Sequence, residues 1–328
     1  MAPRPRRCPG TARLARRNAR SGRQHTAAVT LPYTTPAAFR RALTERLRAA
    51  AKPNGAWPLA ELQRQFAYDR LLARLYHLDS EWIVKGATAL LARELAVRRT
   101  VDIDVYRPGD RGQAEHDLRR AAALDLGDWF IFETGGATPV SDGANGVRIP
   151  TTARIGTTEW VRFHVDVVAE DIRMTGSPED VPPLPAVAIP GLDRPGYRVY
   201  PLADHIADKT CAILERHGSE QRPSTRFKDL VDMLSVIGSQ YVAADIQLDA
   251  LRSEAQRRGL TLPPRFTVPD RQLWERGFAA EARRAVALLP TATLDGALAI
   301  AAPFLDPLLD GTAAGTWNPR TALWEPSA

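Results

Sequence analysis

The spacing of apolar positions changes twice along this chain, from helical to alternating and back to helical. Residues 36–51 read as a first helix, with Thr35 as its cap and Pro36 in its first turn. Lys52-Pro53-Asn54-Gly55 breaks it, and a longer helix is predicted over 59–78, where Leu62, Phe66, Leu72 and Leu75 lie on or near one face. Trp82-Ile83-Val84 is a short apolar run that reads as a buried strand feeding a turn at Lys85-Gly86, followed by a helical stretch over 87–96. Val101-Asp102-Ile103-Asp104-Val105 alternates with period two. That strand should send Val101, Ile103 and Val105 toward the core and both carboxylates to the other face. A helix over 110–126 and strands over 129–133, 146–155 and 159–168 follow, with turn material at Gly135-Gly136 and Ser141-Asp142-Gly143. Six prolines between 176 and 196 predict a loop. Helices are predicted from 202 to 217, closed by Gly218, and from 224 or 225 to 237, closed by Gly238. Two or three more are expected over 241–306, around a Pro-rich join at 263–269.

This order predicts an α+β fold: a mixed sheet core with flanking helices and a C-terminal helical bundle. The divisions expected are a disordered basic tail over 1–33, a core with its N-terminal helices over 34–200, a helical domain completing the site over 201–310, and a loose tail over 311–328.

Charge sharpens the first division. The chain of 328 residues has a formal net charge of +6, but residues 1–25 hold eight Arg and no acid, so the remainder carries 6 − 8 = −2. The basic character belongs to the tail, which resembles a transit peptide but reads equally as a solvated extension or a start codon placed too far upstream. Two cysteines, Cys8 and Cys211, exclude a disulfide scaffold and a four-cysteine zinc site, and suit a reducing, cytoplasmic setting. No apolar run approaches the length of a membrane span, and the six histidines form no ligand-spaced pair.

Two carboxylates on one strand face repel each other unless a cation neutralises them. Asp102 and Asp104 are therefore candidate ligands for a hard divalent ion, Mg²⁺ or Mn²⁺. Asp166, in the alternating run Phe163-His164-Val165-Asp166-Val167, is a candidate third ligand. Such a set serves phosphoryl transfer. Gly86, at a strand-to-helix turn, would let backbone N–H groups approach a triphosphate. Taken alone, an Asp-x-Asp pair is also common on ordinary strands.

The order of Gly turn, helix, Asp-x-Asp strand and lone-Asp strand resembles that of nucleotidyltransferases related to DNA polymerase beta. More narrowly, Val84-Lys85-Gly86-Ala87-Thr88-Ala89-Leu90-Leu91 followed by Arg98-Arg99-Thr100-Val101-Asp102-Ile103-Asp104 resembles the first motifs of the AbiEii/AbiGii toxin family, which includes the mycobacterial MenT toxins. His205-Ile206-Ala207-Asp208-Lys209-Thr210-Cys211-Ala212 and Arg226-Phe227-Lys228-Asp229-Leu230-Val231-Asp232-Met233 resemble its two later helical motifs. Residues 80–237 carry the likeness. It implies transfer of a nucleotide from an NTP to an acceptor hydroxyl, with Asp102, Asp104, Lys209 and Asp229 catalytic. Lys85, Gly86, Thr88, Arg99, Thr100 and Lys209 would bind nucleotide. It also implies an antitoxin partner and, from the mycobacterial branch, tRNA 3′ ends as acceptors. A small-molecule or protein hydroxyl is the alternative acceptor, and a non-catalytic binding protein of the same fold is the alternative class.

Several roles stay open in the sequence. Thr100 either touches phosphate or ends its strand, Lys85 either contacts nucleotide or pairs with a carboxylate, and Arg99 either contacts phosphate or pairs with Asp104. Asp232 either shares the work of Asp229 or braces the helix pair. One departure stands out: Gly86-Ala87 replaces the family's Gly-Gly. If Ala87 begins the helix, the change is mild, and that is the expectation.

Overall fold

The computed structural model describes residues 31–52, 57–96, 98–140, 146–169, 174–183, 187–285 and 289–326. The tail over 1–30, the break at 53–55 and the turn at 141–143 lie outside them. The chain begins with α1 (Pro36–Ala50), α2 (Leu59–Leu78), β1 (Ile83–Lys85), α3 (Gly86–Ala92), β2 (Asp102–Arg107) and α4 (Arg111–Ala122). It continues with β3 (Phe130–Thr134), β4 (Thr138–Pro139), β5 (Gly146–Ile155), β6 (Thr158–Ala169), β7 (Glu179–Val181) and β8 (Tyr197–Val199). The helical half comprises α5 (Leu202–Leu214), a small hairpin of β9 (Arg216–His217) and β10 (Arg222–Pro223), α6 (Phe227–Ile237), β11 (Val242–Ala243), α7 (Ala244–Arg258), α8 (Arg271–Arg284) and α9 (Leu294–Leu309). It closes with β12 (Thr316–Asn318) and β13 (Leu323–Glu325). The α+β class and the bundle that follows the sheet agree with the sequence pattern.

The main sheet runs β3-β5-β6-β2-β1-β8-β7, with β4 added beside β5. β2 lies parallel to β6 and antiparallel to β1, while β5 and β6 form a long antiparallel pair. Strand alternation divides the residues. Val84, Ile103, Val105, Ile149, Val165 and Val167 face one core with α1, α2 and α4. Their neighbours Lys85, Asp102, Asp104, His164 and Asp166 take the opposite face. A second core joins α5 to α9 and reaches back to Leu90 and Leu95 beside α3.

Helix α2 departs most from a simple amphipathic reading. Its core positions are buried, as expected, but so are Asp69, Arg70 and Arg74. Asp128 receives Arg70 Nε at 2.7 Å and both terminal nitrogens of Arg74, while Arg194 and Tyr197 bond Asp69. Burying such charges is tolerable only because each is paired.

Other boundaries shift for local reasons. The helix expected to Ala96 stops at Ala92, where Glu94 takes φ 59° and Leu95 N–H returns to Leu90 O at 2.8 Å. Val101 does not face the core: it precedes β2 and is 56% exposed. Helix α4 ends four residues early, with Asp110 capping its start through Gln113 N–H. The Pro-rich stretch is not all loop, because β7 pairs with β8 at the sheet edge before Pro182-Pro183 ends it. Helix α5 stops at Leu214, and Gly218 turns the β9–β10 hairpin instead of closing a helix. Gly238 does close α6.

Both predicted tails are trimmed. Tyr33 stacks edge-on against Phe39 at 5.5 Å and accepts a bond from Arg46, so the folded part begins before residue 34. The segment beyond Gly311 is not loose: β12 pairs with β11 and β13, and the fully buried Trp317 donates to Ile237 O at 2.9 Å. Burying an indole of this size stabilises by about 2–3 kcal/mol. No described helix is long and apolar enough to cross a membrane.

Candidate active site

Strand register assembles the site. On β2, Asp104 lies opposite Asp166 of β6 on one side and Lys85 of β1 on the other; Asp102 lies opposite His164. All three predicted carboxylates are therefore on one face, two of them side by side. Across β6, Arg148 of β5 is the register partner of Asp166. Its Nε donates to Asp166 Oδ1 at 2.8 Å, and one terminal nitrogen reaches Asp166 Oδ2 at 2.6 Å and Asp102 Oδ2 at 3.3 Å. His164 Nδ1 lies 3.1 Å from Asp102 Oδ1.

Burial, then the charges of Asp166 and Asp102, push the Asp104 carboxyl up to about 7, against the pull of Lys209 and Arg98. Gly86 makes room for it. The turn has φ +57°, and a Cβ there would lie 2.0 Å from Asp104 Oδ2, so no larger residue fits without displacing the carboxylate. The left-handed position is Gly86, where α3 begins one residue before the expected Ala87, and Ala87 lies within the helix with no positive φ. Thr88 and Thr100, predicted as nucleotide ligands, both donate to the backbone carbonyl of Asp102, at 3.3 and 2.8 Å. They fix the start of the carboxylate strand. Lys85 lies over the Tyr200 ring, 4.2 Å from its centroid, a cation–π contact, and against the cost of burial its charge leads in holding the Asp208 carboxyl below the usual range. Arg99 is exposed.

A second charge cluster faces the first. Lys209 on α5 donates to Asp229 and, at 2.8 Å, to Asp232, both on α6. Arg98 grips Asp232 with two bonds of 2.8 Å. Burial alone would discharge Lys209, but Asp229 and Asp232 outweigh it and hold its pKa above the ordinary value. Burial likewise opposes the charge on Asp232, yet Lys209 and Arg98 hold its carboxyl below the usual range. Asp232 is thus the brace of the helix pair and its link to the sheet. One turn before Lys209, His205 is 3% exposed, and neither ring nitrogen has a partner among the described residues. Burial and then the charge of Lys209 hold it neutral, down to about 3.

The structure brings Asp102, Asp104, Asp166 and Gly86 together on the sheet and sets Lys209, paired with Asp229, close enough for its charge to act on Asp104. It adds Arg148, Arg98 and His205. Arg98 stands beside Arg99 in the motif and cannot be told from it there, and nothing in the sequence places Arg148 opposite Asp166 until the β5–β6 register is known. A surface pocket of about 600 Å³, lined by Arg93, Glu179, Leu202, Tyr241 and Ile246 among others, shares no residue with either cluster.

The donor set can be weighed against a hard cation. Among the described residues no three His, Cys, Asp or Glu side chains stand ready-made around an ion. Asp102 and Asp104 fit as an oxygen pair whose repulsion a divalent ion relieves, whereas Asp166 is already engaged by Arg148.

Comparisons with known proteins bear on this chemistry. The profile of the family described as "Nucleotidyl transferase AbiEii toxin, Type IV TA system" matches residues 70–300, well over half of the chain. Among solved structures, MenT4, a nucleotidyltransferase toxin from Mycobacterium tuberculosis H37Rv, is 17% identical, with 68% of this chain and 74% of that one covered and a TM-score of 0.45. JHP933 from Helicobacter pylori is 16% identical over 59% of this chain and 79% of its own, with a TM-score of 0.35. The antibiotic-resistance factor ANT(2'')-Ia is 15% identical over 67% and 94%, with a TM-score of 0.26. No curated protein sequence matches the chain.

Proposed function

This chain belongs to the AbiEii family of nucleotidyl transferase toxins of type IV toxin–antitoxin systems, and from that premise we propose that it transfers a nucleoside monophosphate from an NTP to the 3′-terminal hydroxyl of tRNA. The acceptor oxygen attacks the α-phosphorus and pyrophosphate leaves. Asp102 and Asp104 would hold Mg²⁺ or Mn²⁺, with Asp166 as a further ligand. Such an ion supplies charge neutralisation at the triphosphate and lowers the cost of ionising the acceptor hydroxyl.

The chain's own groups have defined work in this reading. The Gly86 turn lays backbone against Asp104, while the Thr88 and Thr100 hydroxyls keep the carboxylate strand from shifting. Lys209 spends two of its three N–H donors on Asp229 and Asp232 and has one for a phosphate oxygen. Asp229 and Asp232 keep it charged. Exposed Arg99 and half-exposed His164 would meet phosphates of the incoming nucleotide or acceptor. The antitoxin would be a separate chain that masks or counters this activity in the cytoplasm.

The observation that carries the proposal is the under-compensated carboxylate face: three aspartates, one arginine, and Asp104 pushed to about 7. The test is incubation with each α-labelled NTP, Mg²⁺ and total RNA. Label should appear on the terminal nucleotide of tRNA and be lost with chelator. Label confined to protein or small molecules would overturn the tRNA acceptor, and no transfer from any NTP would overturn the chemistry as well.

A further inference from the structure

Arg148 lies outside every motif that identifies the site, yet it makes more bonds to the carboxylate face than any other residue described. It enters from β5, which lies beyond the two strands that carry the aspartates. It bonds Asp166 through two nitrogens and reaches Asp102 with one of them. Three aspartates and one arginine leave the face short of positive charge even with Arg148 in place. Its side chain is 41% exposed, so solvent is open to its head and the guanidinium has room to swing aside. Guanidinium cannot lose its proton near neutral pH, so the charge is removed only by moving the side chain.

A divalent ion that bridges Asp102, Asp104 and Asp166 must use oxygens that Arg148 now occupies. We propose that Arg148 is a resident counter-cation of the carboxylate face, and that it competes with the divalent ion for Asp166 and Asp102. Resting on the reading of this face as a metal-using site, the proposal gives Arg148 a positioning role. It keeps three mutually repelling aspartates in register when no ion is bound, and it sets a threshold that an ion must overcome. Asp166 is then a conditional ligand, available only once the guanidinium swings away. The proposal accounts for three carboxylates that share one face without forming a ready-made metal cluster among the described residues.

The test is Mn²⁺ binding to the full-length protein without nucleotide, followed by calorimetry or by the electron spin resonance signal of free Mn²⁺. Arg148→Gln removes a full charge hydrogen-bonded to two of the carboxylates that would hold the ion, and repulsion between cations that share such ligands, at the dielectric of a protein surface, exceeds a factor of ten. Its affinity for Mn²⁺ should therefore rise at least tenfold over the unsubstituted protein. Arg148→Lys keeps the charge and should stay within about threefold of the unsubstituted protein, which a purely structural role for the guanidinium fork would not predict. Adding Asp166→Asn to Arg148→Gln should return most of the gain. Equal or weaker binding by a folded Arg148→Gln protein overturns the competition, while loss of binding in Asp104→Asn still supports the metal site itself. Absence of Mn²⁺ binding in both the unsubstituted protein and a folded Arg148→Gln protein overturns both the competition and the metal reading.

Discussion

The two charge clusters lie next to each other and are built on opposite principles. On the sheet, three aspartates share one arginine, and part of the surface is open. Between the helices, Asp229 and Asp232 meet Lys209 and Arg98, and the more exposed Arg226 lies 4.0 Å from Asp229, so the acids are fully matched by cations. The balanced cluster has what it needs from its own residues and reads as a brace that holds α5, α6 and the segment before β2 together. The unbalanced one keeps an excess of negative charge that a further cation would relieve. A site that must receive a charged ligand is built as the sheet cluster is, and a site that must not move is built as the helical cluster is. Lys209 belongs to both, since its charge also draws Asp104 back toward ionisation.

The largest effect should come from removing a carboxylate of the unbalanced cluster. Asp104→Asn should reduce nucleotidyl transfer by at least about a thousandfold, because several kcal/mol of transition-state charge stabilisation go with it. It should also stabilise the metal-free protein at pH 8 by about 1–2 kcal/mol after allowing for solvent screening, read as a higher melting temperature. A lower melting temperature would show that the cluster is not under repulsion.

The balanced cluster should respond in the opposite way. Lys209→Met leaves Asp232 with Arg98 and Asp229 with only the half-exposed Arg226 at 4.0 Å, and should cost about 3–5 kcal/mol in denaturant unfolding. Arg98→Ala should cost somewhat less, about 2–3 kcal/mol, because Lys209 still pairs with Asp232. If Lys209→Met is as stable as the unsubstituted protein, the brace reading fails.

Opposite pH signs sharpen the contrast further. Asp104 titrates near 7 when folded but near 4 when unfolded, so between those values the folded chain holds a proton the unfolded chain has lost. Its contribution makes stability fall as pH rises through that window. Asp232 is held below its ordinary value, so its contribution is complete above about pH 4 and is lost as pH falls through its folded value. Melting curves of the metal-free protein from pH 4 to 8 should flatten in Asp104→Asn. Curves extended below pH 4 should show the acid limb shrinking in Asp232→Asn. The smallest effect expected is from deleting residues 1–30, which should leave transfer within about twofold. Extending the cut through Tyr33 removes a core contact and should cost about 1 kcal/mol.

Much of the site is legible in the sequence, because its parts obey local rules. Alternation puts Asp102 and Asp104 on one face, the turn at Gly86 requires a glycine, and the spacing of Lys209 with Asp229 suits a helix pair. Asp166 can be nominated from its own alternating strand. What stays hidden depends on long-range register. Arg148 faces Asp166 only because β5 and β6 pair as they do, and Arg98, not Arg99, meets Asp232 only because of how the chain enters β2. The fold shows the same division. Helices of ten or more residues announce themselves, whereas β7, β8, β12 and β13 have three residues each, too few to show a period. Trp317, buried under α9 at the end of a segment that reads as loose, is held by partners far away in sequence.

On the proposed chemistry, the toxicity of this chain depends on the Asp102–Asp104 face. Its most direct test is growth after induced expression of the unsubstituted chain and of Asp102→Ala at matched soluble levels. Growth should arrest with the first and continue normally with the second. Arrest that persists with Asp102→Ala would contradict it.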